Sequence, residues 1–230
     1  MSPESPIFSQ RAEQLLARIA QAAERAGRLP SEVALLPVSK NHSARAVAEA
    51  VRFGFKAVAE NRVQEAAEKK ATCPVAVRWE LIGHLQSNKA RQAVSLFDRI
   101  QSVDSVKLAE KLNTLAGELG RKLPILIQVN AGEDPAKHGI APDDLESVLD
   151  RVLTLPHLVP EGLMTIAPLS DNPAVARRCF ARLRELRDTA STRSGQPLPV
   201  LSMGMSDDLE EAIAEGSTLL RVGTALFGQR

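Results

Sequence analysis

The stretch EVALLPVSKNHSARAVAEAVRFGFKAVAEN, residues 32 to 61, contains an apolar run, an alanine-rich helical pattern and a second apolar run. The first run, residues 33 to 38, is followed by Ser39 and Lys40. Ser43, at the start of the helical pattern, is of a residue type that often caps helices. The second run covers residues 56 to 60. This order predicts two parallel strands, because parallel strands need a connection about as long as a helix.

The same alternation continues along the whole chain. Eight apolar runs are predicted strands: residues 33–38, 56–60, 77–83, 98–103, 124–130, 158–166, 199–205 and 218–223. Helical patterns separate them, with Asp104, Asn172 and Ser206 among the predicted start signals, and an extra N-terminal helix is predicted over residues 9 to 26. Eight such units in 230 residues favour a single (β/α)8 TIM barrel over an open sheet, with residues 1–230 as one domain.

Charge and cysteine content exclude several classes of protein. The 29 lysines and arginines nearly balance 28 aspartates and glutamates, so charge gives no reason to expect nucleic acid or a membrane as partner. No apolar stretch approaches the roughly 18 residues of a membrane-spanning helix, and the N-terminus does not resemble a signal peptide. Cys73 and Cys179 lack metal-ligand spacing, so neither a metal site nor a disulfide framework is expected. We therefore expect a cytoplasmic protein.

Polar residues collect where the predicted strands end. In a (β/α)8 barrel the active site lies at the end where strands finish and the following loops begin. Those positions hold Lys40, Asn61, His84, Asn130, Met164, Ser202, Ser206, Arg221, Gly223 and Thr224. The sequence therefore predicts one site built from residues that are far apart along the chain.

Lys40 directly follows an apolar run, and lysines are almost never buried unless they are paired or take part in chemistry. One interpretation is that its side chain reaches solvent or pairs with a carboxylate such as Glu60. The other is an amine that forms an imine with a carbonyl, since partial desolvation leaves some of it neutral. From position alone both interpretations remain open.

The last two strand ends predict an anion site. Ser206 is a predicted helix cap, while Gly223 and Thr224 offer backbone N–H groups and a hydroxyl; a simple cap and a tight turn are the alternative. Phosphate sites in these barrels frequently lie in the loops after strands seven and eight. Arg221 shares a strand face with Gly223, and its charge needs an acceptor. An amine, a phosphate site and an arginine together match pyridoxal phosphate (PLP).

Eight motifs resemble the YggS/PROSC family of pyridoxal phosphate homeostasis proteins, whose fold is like the N-terminal barrel domain of alanine racemase. The matching segments are LLPVSK (35–40), AENRVQE (59–65), WELIGHLQSNK (79–89), IQSVDS (100–105), VNAGEDPAKHGI (129–140), EGLMTI (161–166), LSMGMSDDLEEAI (201–213) and STLLRVGTALFG (217–228). They cover nearly the whole chain in order, and GHLQSNK together with SMGMSDD is the most specific combination.

The resemblance implies that Lys40 carries PLP as a Schiff base and that Arg221 lies at the pyridine nitrogen. It also implies that Lys137 is a second amine in a loop. The remaining implied residues are the phosphate ligands Ser206, Gly223 and Thr224, assisted by Ser202, and the pocket residues Asn61 and Met164. The implied role is intracellular PLP homeostasis, by storage, buffering or delivery to PLP-dependent apo-enzymes, and we expect a monomer without catalytic residues.

Two enzymatic alternatives compete with this role. A PLP-dependent amino-acid racemase is suggested by the resemblance to alanine racemase, but racemisation needs an acid or base on each face of the substrate. In the racemases the second group is a tyrosine from another domain, and this chain has no tyrosine. A Schiff-base lyase would use Lys40 and the phosphate site without any cofactor. The sequence favours the binding protein over both.

Overall fold

Eight parallel strands form the centre of the structure, which is a computed structural model that describes residues 6 to 228. All eight predicted strands are confirmed. They are β1 (Ala34–Pro37), β2 (Ala57–Glu60), β3 (Arg78–Leu81), β4 (Arg99–Val103), β5 (Leu123–Gln128), β6 (Leu158–Met164), β7 (Val200–Ser202) and β8 (Leu219–Val222). Their order in the sheet is β1-β8-β7-β6-β5-β4-β3-β2, and every pairing is parallel.

The first and last strands of this order, β1 and β2, meet where the residues just after β1 pair with β2. Val38 and Ala59 form a parallel bridge, and the Ser39 N–H donates to the Ala59 carbonyl at 3.0 Å. The sheet is therefore a nearly closed barrel, as predicted, and closure removes the unpaired edges of an open sheet. Lys40 directly follows this seam.

Helices surround the barrel. They are α1 (Pro6–Arg25), α2 (Ala44–Phe53), α3 (Val63–Thr72), α4 (Ala90–Leu96), α5 (Val106–Glu118), α6 (Leu145–Leu153), α7 (Pro173–Ser194), α8 (Leu209–Ala214) and α9 (Thr224–Phe227). The extra N-terminal helix, α1, packs against α8 and α9. Within residues 6 to 228, no helix combines the length and apolar character needed to cross a membrane.

Of the predicted helix starts, those at Asp104 and Ser206 are wrong. Ser43 and Asn172 are the N-caps of α2 and α7, and the Asn172 side chain accepts from the Ala174 N–H at 3.0 Å. Helix α5 is capped by Ser105, not Asp104: the Ser105 hydroxyl accepts from the Leu108 N–H at 3.2 Å, and the Asp104 carboxylate contacts His84. The cap residue of α8 is Asp208, not Ser206, which lies in the turn before it.

The barrel interior is more polar than the branched apolar filling that is usual for this fold. Gln101 on β4 and Ser202 on β7 contact each other although their strands are not neighbours, so both side chains point inward. The buried polar and charged residues of the strands and of the β1–β2 seam are Ser39, Glu60, Glu80, Gln101, Ser102, Gln128, Ser202 and Arg221. The large apolar side chains, such as Trp79 and Phe180, belong to the main hydrophobic core.

Candidate ligand site at the barrel mouth

The ends of β8, β1, β2 and β3 bring predicted site residues to one rim of the barrel. The Val38 N–H donates to the Val222 carbonyl at 2.9 Å, which places Gly223 beside the segment that leads to Lys40. On the other side, the loop after β3 packs so closely on Asn61 that a Cβ on Gly83 would lie 2.1 Å from the Asn61 carbonyl oxygen. Lys40, Asn61 and Gly223 therefore follow neighbouring strands at the same end.

Lys40 is exposed in the turn after β1, and its ammonium has no partner among residues 6 to 228. The suggested pairing with Glu60 is not made. The Glu60 Oε1 atom instead accepts from the Ser39 hydroxyl at 2.6 Å and from Lys69 Nζ at 2.6 Å. The amine of Lys40 is thus available at the mouth, while another lysine neutralises the buried carboxylate.

Four side chains, Ser39, Glu60, Glu65 and Lys69, form what we call the β1–β2 cluster. Lys69 Nζ donates to the Ser39 carbonyl at 2.5 Å and to Glu65 Oε1 at 2.8 Å. Glu65 Oε1 also accepts from the backbone N–H of Asn41, whose φ of 60° is unusual for a residue other than glycine. The cluster therefore holds the backbone on both sides of Lys40 and leaves the lysine side chain outside.

The two carboxyl groups of this cluster are shifted in opposite directions. Burial raises the pKa of Glu60, against the opposing effects of Lys69 and Ser39, and its Oε2 atom is buried without a partner. Burial would also raise the pKa of Glu65, but hydrogen bonds from Lys69 and the Asn41 N–H together lower it below its ordinary value. Glu65 is therefore the carboxylate that the fold favours in its charged form.

Arg221 lies inside the barrel at 4% exposure, clamped by two acceptors. One terminal nitrogen donates to the Ser202 hydroxyl at 2.8 Å and the other to the Thr165 carbonyl at 2.8 Å, while Nε has no partner in the described part of the chain. Burial lowers the pKa of Arg221 to about 10, with Asp208 opposing the shift. The guanidinium is therefore charged at neutral pH and fixed in place, and its Nε N–H is among the donors left for a ligand.

A continuous series of side-chain contacts, which we call the Arg221 chain, extends from this arginine through the barrel. Gln101 Nε2 donates to Glu80 at 2.6 Å, so its Oε1 is left to accept the Ser202 hydroxyl, also at 2.6 Å. That direction turns the lone pairs of Ser202 towards Arg221. Beyond Glu80, this series of contacts ends with Arg99 and Glu161. Arg99 donates to both Glu80 carboxylate oxygens, at 2.8 and 2.9 Å, and to Glu161.

The loops after β7 and β8 meet at Ser206. The Ser206 hydroxyl faces the Ala225 N–H at 3.5 Å, at the start of α9. Thr224 is exposed, and a Cβ on Gly223 would lie 3.2 Å from the Val38 carbonyl, so this position leaves little room for a side chain. Ser206, Gly223 and Thr224 therefore form one polar surface.

The other predicted site residues differ in how deeply they are buried. Met164 is fully buried at the end of β6, and Ser202 is buried against Arg221. Asn61 does not cap α3, whose cap residue is Arg62, and its side-chain oxygen is buried without a partner. An unpaired buried acceptor is costly, so a ligand that donates to Asn61 would relieve an unfavourable state.

The sequence reasoning missed Lys69, Glu65, Gln101 and Thr165. Gln101 carries a usable signal, since a glutamine inside an apolar run marks a polar group within a buried strand. Lys69 and Glu65 give none, because four-residue spacing on a helix is also typical of a solvated ion pair.

Comparison with known proteins adds independent information. The family of the alanine racemase N-terminal domain matches residues 11–230. A pyridoxal phosphate homeostasis protein of Pseudomonas aeruginosa is 44% identical over 93% of this chain and 92% of its own length. The corresponding protein of Aquifex aeolicus is 40% identical over 96% and 97%. PipY of Synechococcus elongatus, solved with PLP bound, is 45% identical with a TM-score of 0.81, covering 91% of this chain and all of its own.

Proposed function

The chain belongs to the family of pyridoxal phosphate homeostasis proteins, and from that membership we propose that it is a single-domain protein that holds PLP on Lys40 and hands it on. The observation that carries the proposal is the exposed, unpaired amine of Lys40 above a backbone that is held on both sides. PipY, a relative of similar length, was solved with PLP.

The residues at the mouth fit the chemistry of PLP. When bound, PLP supplies an aldehyde, a phosphate and a ring with polar groups on its edge. Lys40 is the amine for the aldehyde, and Ser206, Gly223 and Thr224 are the phosphate ligands. Arg221 Nε is a donor for the ring nitrogen, while Asn61 offers a buried acceptor and Met164 an apolar contact. Ser202 acts through Arg221, whose guanidinium it orients.

Lys40 forms the covalent link. Its neutral amine attacks an aldehyde carbon, and loss of one water molecule leaves a C=N bond to Nζ. The β1–β2 cluster supports this step by holding Ser39 and Asn41, so that the amine is presented from a fixed turn. Lys69 donates to both carboxylates of this cluster, Glu60 and Glu65, and Lys40 pairs with neither.

These residues fit a carrier of PLP better than an enzyme. A racemase needs a second acid or base opposite Lys40, and the chain contains no tyrosine for that role. The exposure of Lys40 also gives water access to the site, which weakens catalysis by desolvation. The relatives are named for homeostasis, and the PLP in PipY favours a cofactor-bound protein over a lyase that uses none.

Transfer to a defined apo-enzyme tests the proposal. We expect the PLP-loaded protein to reactivate the apo-enzyme at a rate different from that of free PLP at the same free concentration, and the Lys40→Ala variant to lose this effect. Lys56→Ala is the control, since Lys56 is an exposed lysine before β2, at the opposite end of the barrel. Equal rates for wild type, Lys40→Ala and free PLP would overturn the carrier role.

Deuterium exchange at the α-carbon of common amino acids separates the carrier from the racemase. A carrier gives no exchange above that of free PLP. Robust exchange that disappears in Lys40→Ala would show that the protein is an enzyme.

A further inference from the structure

Three potential metal ligands meet at the rim of the barrel. They are His84 in the loop after β3, Asp104 after β4 and His138 in the loop after β5. In the barrel order β5 lies opposite β1 and β4 opposite β8, whereas β3 is separated from β1 only by β2, and Gly83 beside His84 packs on Asn61. None of the three residues is itself a proposed PLP ligand, but the cluster adjoins the Asn61 side of that site. Nothing in the spacing of these residues along the sequence predicts that they meet.

Their geometry brings one ligand atom of each residue within 4.8 Å of the other two. His84 Nδ1 lies 2.9 Å from Asp104 Oδ2, and the rings of His84 and His138 stack with centroids 3.9 Å apart at an angle of 9°. Parallel rings do not point their lone pairs at one ion. Both histidines are exposed, however, so side-chain rotation turns the nitrogens towards a common point without moving the barrel.

The loop that carries His138 is held in place by its own hydrogen bonds. The buried Gln128 side chain at the end of β5 donates to the His138 carbonyl at 2.9 Å. At the other end of the loop, the Asn130 side chain donates to the Asp134 carbonyl and accepts from the Asp134 N–H. His138 is therefore presented from an ordered backbone, which lowers the entropic cost of binding.

We propose that His84, Asp104 and His138 bind one divalent transition-metal ion, with zinc as the best match. Two imidazoles and one carboxylate suit zinc, with metal–ligand distances of about 2.0 to 2.2 Å. Three protein ligands leave a fourth position for water or an external ligand. The bound ion joins the loops after β3, β4 and β5, and thereby restrains the loop that contains Lys137.

Calorimetric titration of the PLP-free full-length protein with zinc tests the site. We expect one ion per chain, and on the order of 100-fold weaker binding in either His84→Ala or His138→Ala. Asp104→Asn keeps a hydrogen-bonding partner for His84 but removes the charge, and it also weakens binding. Zinc should raise the melting temperature of the wild type more than that of these variants.

His157→Gln is the matched control, since this histidine precedes β6 at the other end of the barrel. Its zinc affinity should equal that of the wild type. Circular dichroism of each variant checks that its fold is unchanged. Unchanged zinc binding in the His84→Ala/His138→Ala double variant, or no binding by the wild type, would overturn the proposal.

Discussion

Two sets of polar side chains take the place of apolar packing, one between the barrel and α3 and the other inside the barrel, and they work in different ways. The β1–β2 cluster is local, with every member between residues 39 and 69, and its contacts hold the backbone around Lys40. The Arg221 chain joins residues as much as 101 positions apart, and its contacts fix one side chain. One group thus leaves its functional side chain outside, whereas the other encloses it.

For the PLP site that we propose, the difference corresponds to two ways of preparing groups for one ligand. A nucleophilic amine has to move and to exchange protons with water, so only its backbone is held. A guanidinium that recognises a ring edge gains from rigidity, because its fixed geometry lowers the entropy lost on binding. Of the substitutions below, the first three each disrupt the hydrogen bonds of one of these two sets of side chains. The fourth changes a residue that belongs to neither set.

Lys69→Met should have the largest effect, because it leaves Glu60 buried without its counter-ion. We expect a loss of about 3–5 kcal/mol in the free energy of unfolding, together with weaker PLP binding. Denaturant unfolding measures the first and spectroscopic titration the second. Lys107→Met is the control, since Lys107 is an exposed lysine that also lies on a helix. Equal stability of the two variants would show that the cluster has no structural role.

Ser202→Ala breaks the Arg221 chain at the arginine. It removes one acceptor from a buried guanidinium and one donor to Gln101, so we expect the free energy of unfolding to fall by about 1–3 kcal/mol. The absorption spectrum of bound PLP should also change, since Arg221 is less firmly held. Ser87→Ala, at an exposed serine, should change neither property. An unchanged absorption spectrum of PLP in Ser202→Ala would show that Arg221 does not contact the PLP ring.

Stability should depend on pH through Glu65. Because its pKa is lowered on folding, its contribution is complete above its ordinary value of 4.5 and is lost as the pH falls through the folded value. We therefore expect wild type to exceed Glu65→Gln by about 1 kcal/mol at neutral pH, and the difference to shrink in acid. Urea unfolding across this range measures it. A difference that stays constant with pH would contradict the assignment.

Ser206→Ala should have the smallest effect on folding. Ser206 does not cap α8, and its contact with the Ala225 N–H is long, so the free energy of unfolding should change by less than about 0.5 kcal/mol. Its effect on PLP affinity should be larger, through loss of a phosphate ligand. Lower stability with unchanged PLP affinity would show that Ser206 is a structural residue and not a phosphate ligand.

The sequence predicts the barrel well because each strand is a short apolar run between helical patterns. It also predicts the end at which Lys40, Asn61 and Gly223 lie, since that follows from strand direction alone. Helix starts are less predictable: at Ser206, two acidic residues follow the serine, and Asp208 is the cap residue.

Contacts across the barrel could not be predicted in the same way. The bond between Gln101 and Ser202 depends on which strands face each other, and the role of Lys69 depends on how α3 packs over the β1–β2 seam. The meeting of His84 with His138 depends on the course of a loop. Such contacts are set by three-dimensional packing, which periodicity does not describe.

Borohydride reduction of the PLP-treated protein, followed by peptide mass spectrometry, tests most directly whether Lys40 holds the cofactor. Reduction converts a C=N bond into a stable amine, so the modified lysine carries a permanent pyridoxyl mass. We expect this mass on the peptide containing Lys40 and its loss from that peptide in Lys40→Ala, with Lys56→Ala modified like wild type. A wild-type protein labelled at another lysine, or not labelled at all, would contradict it.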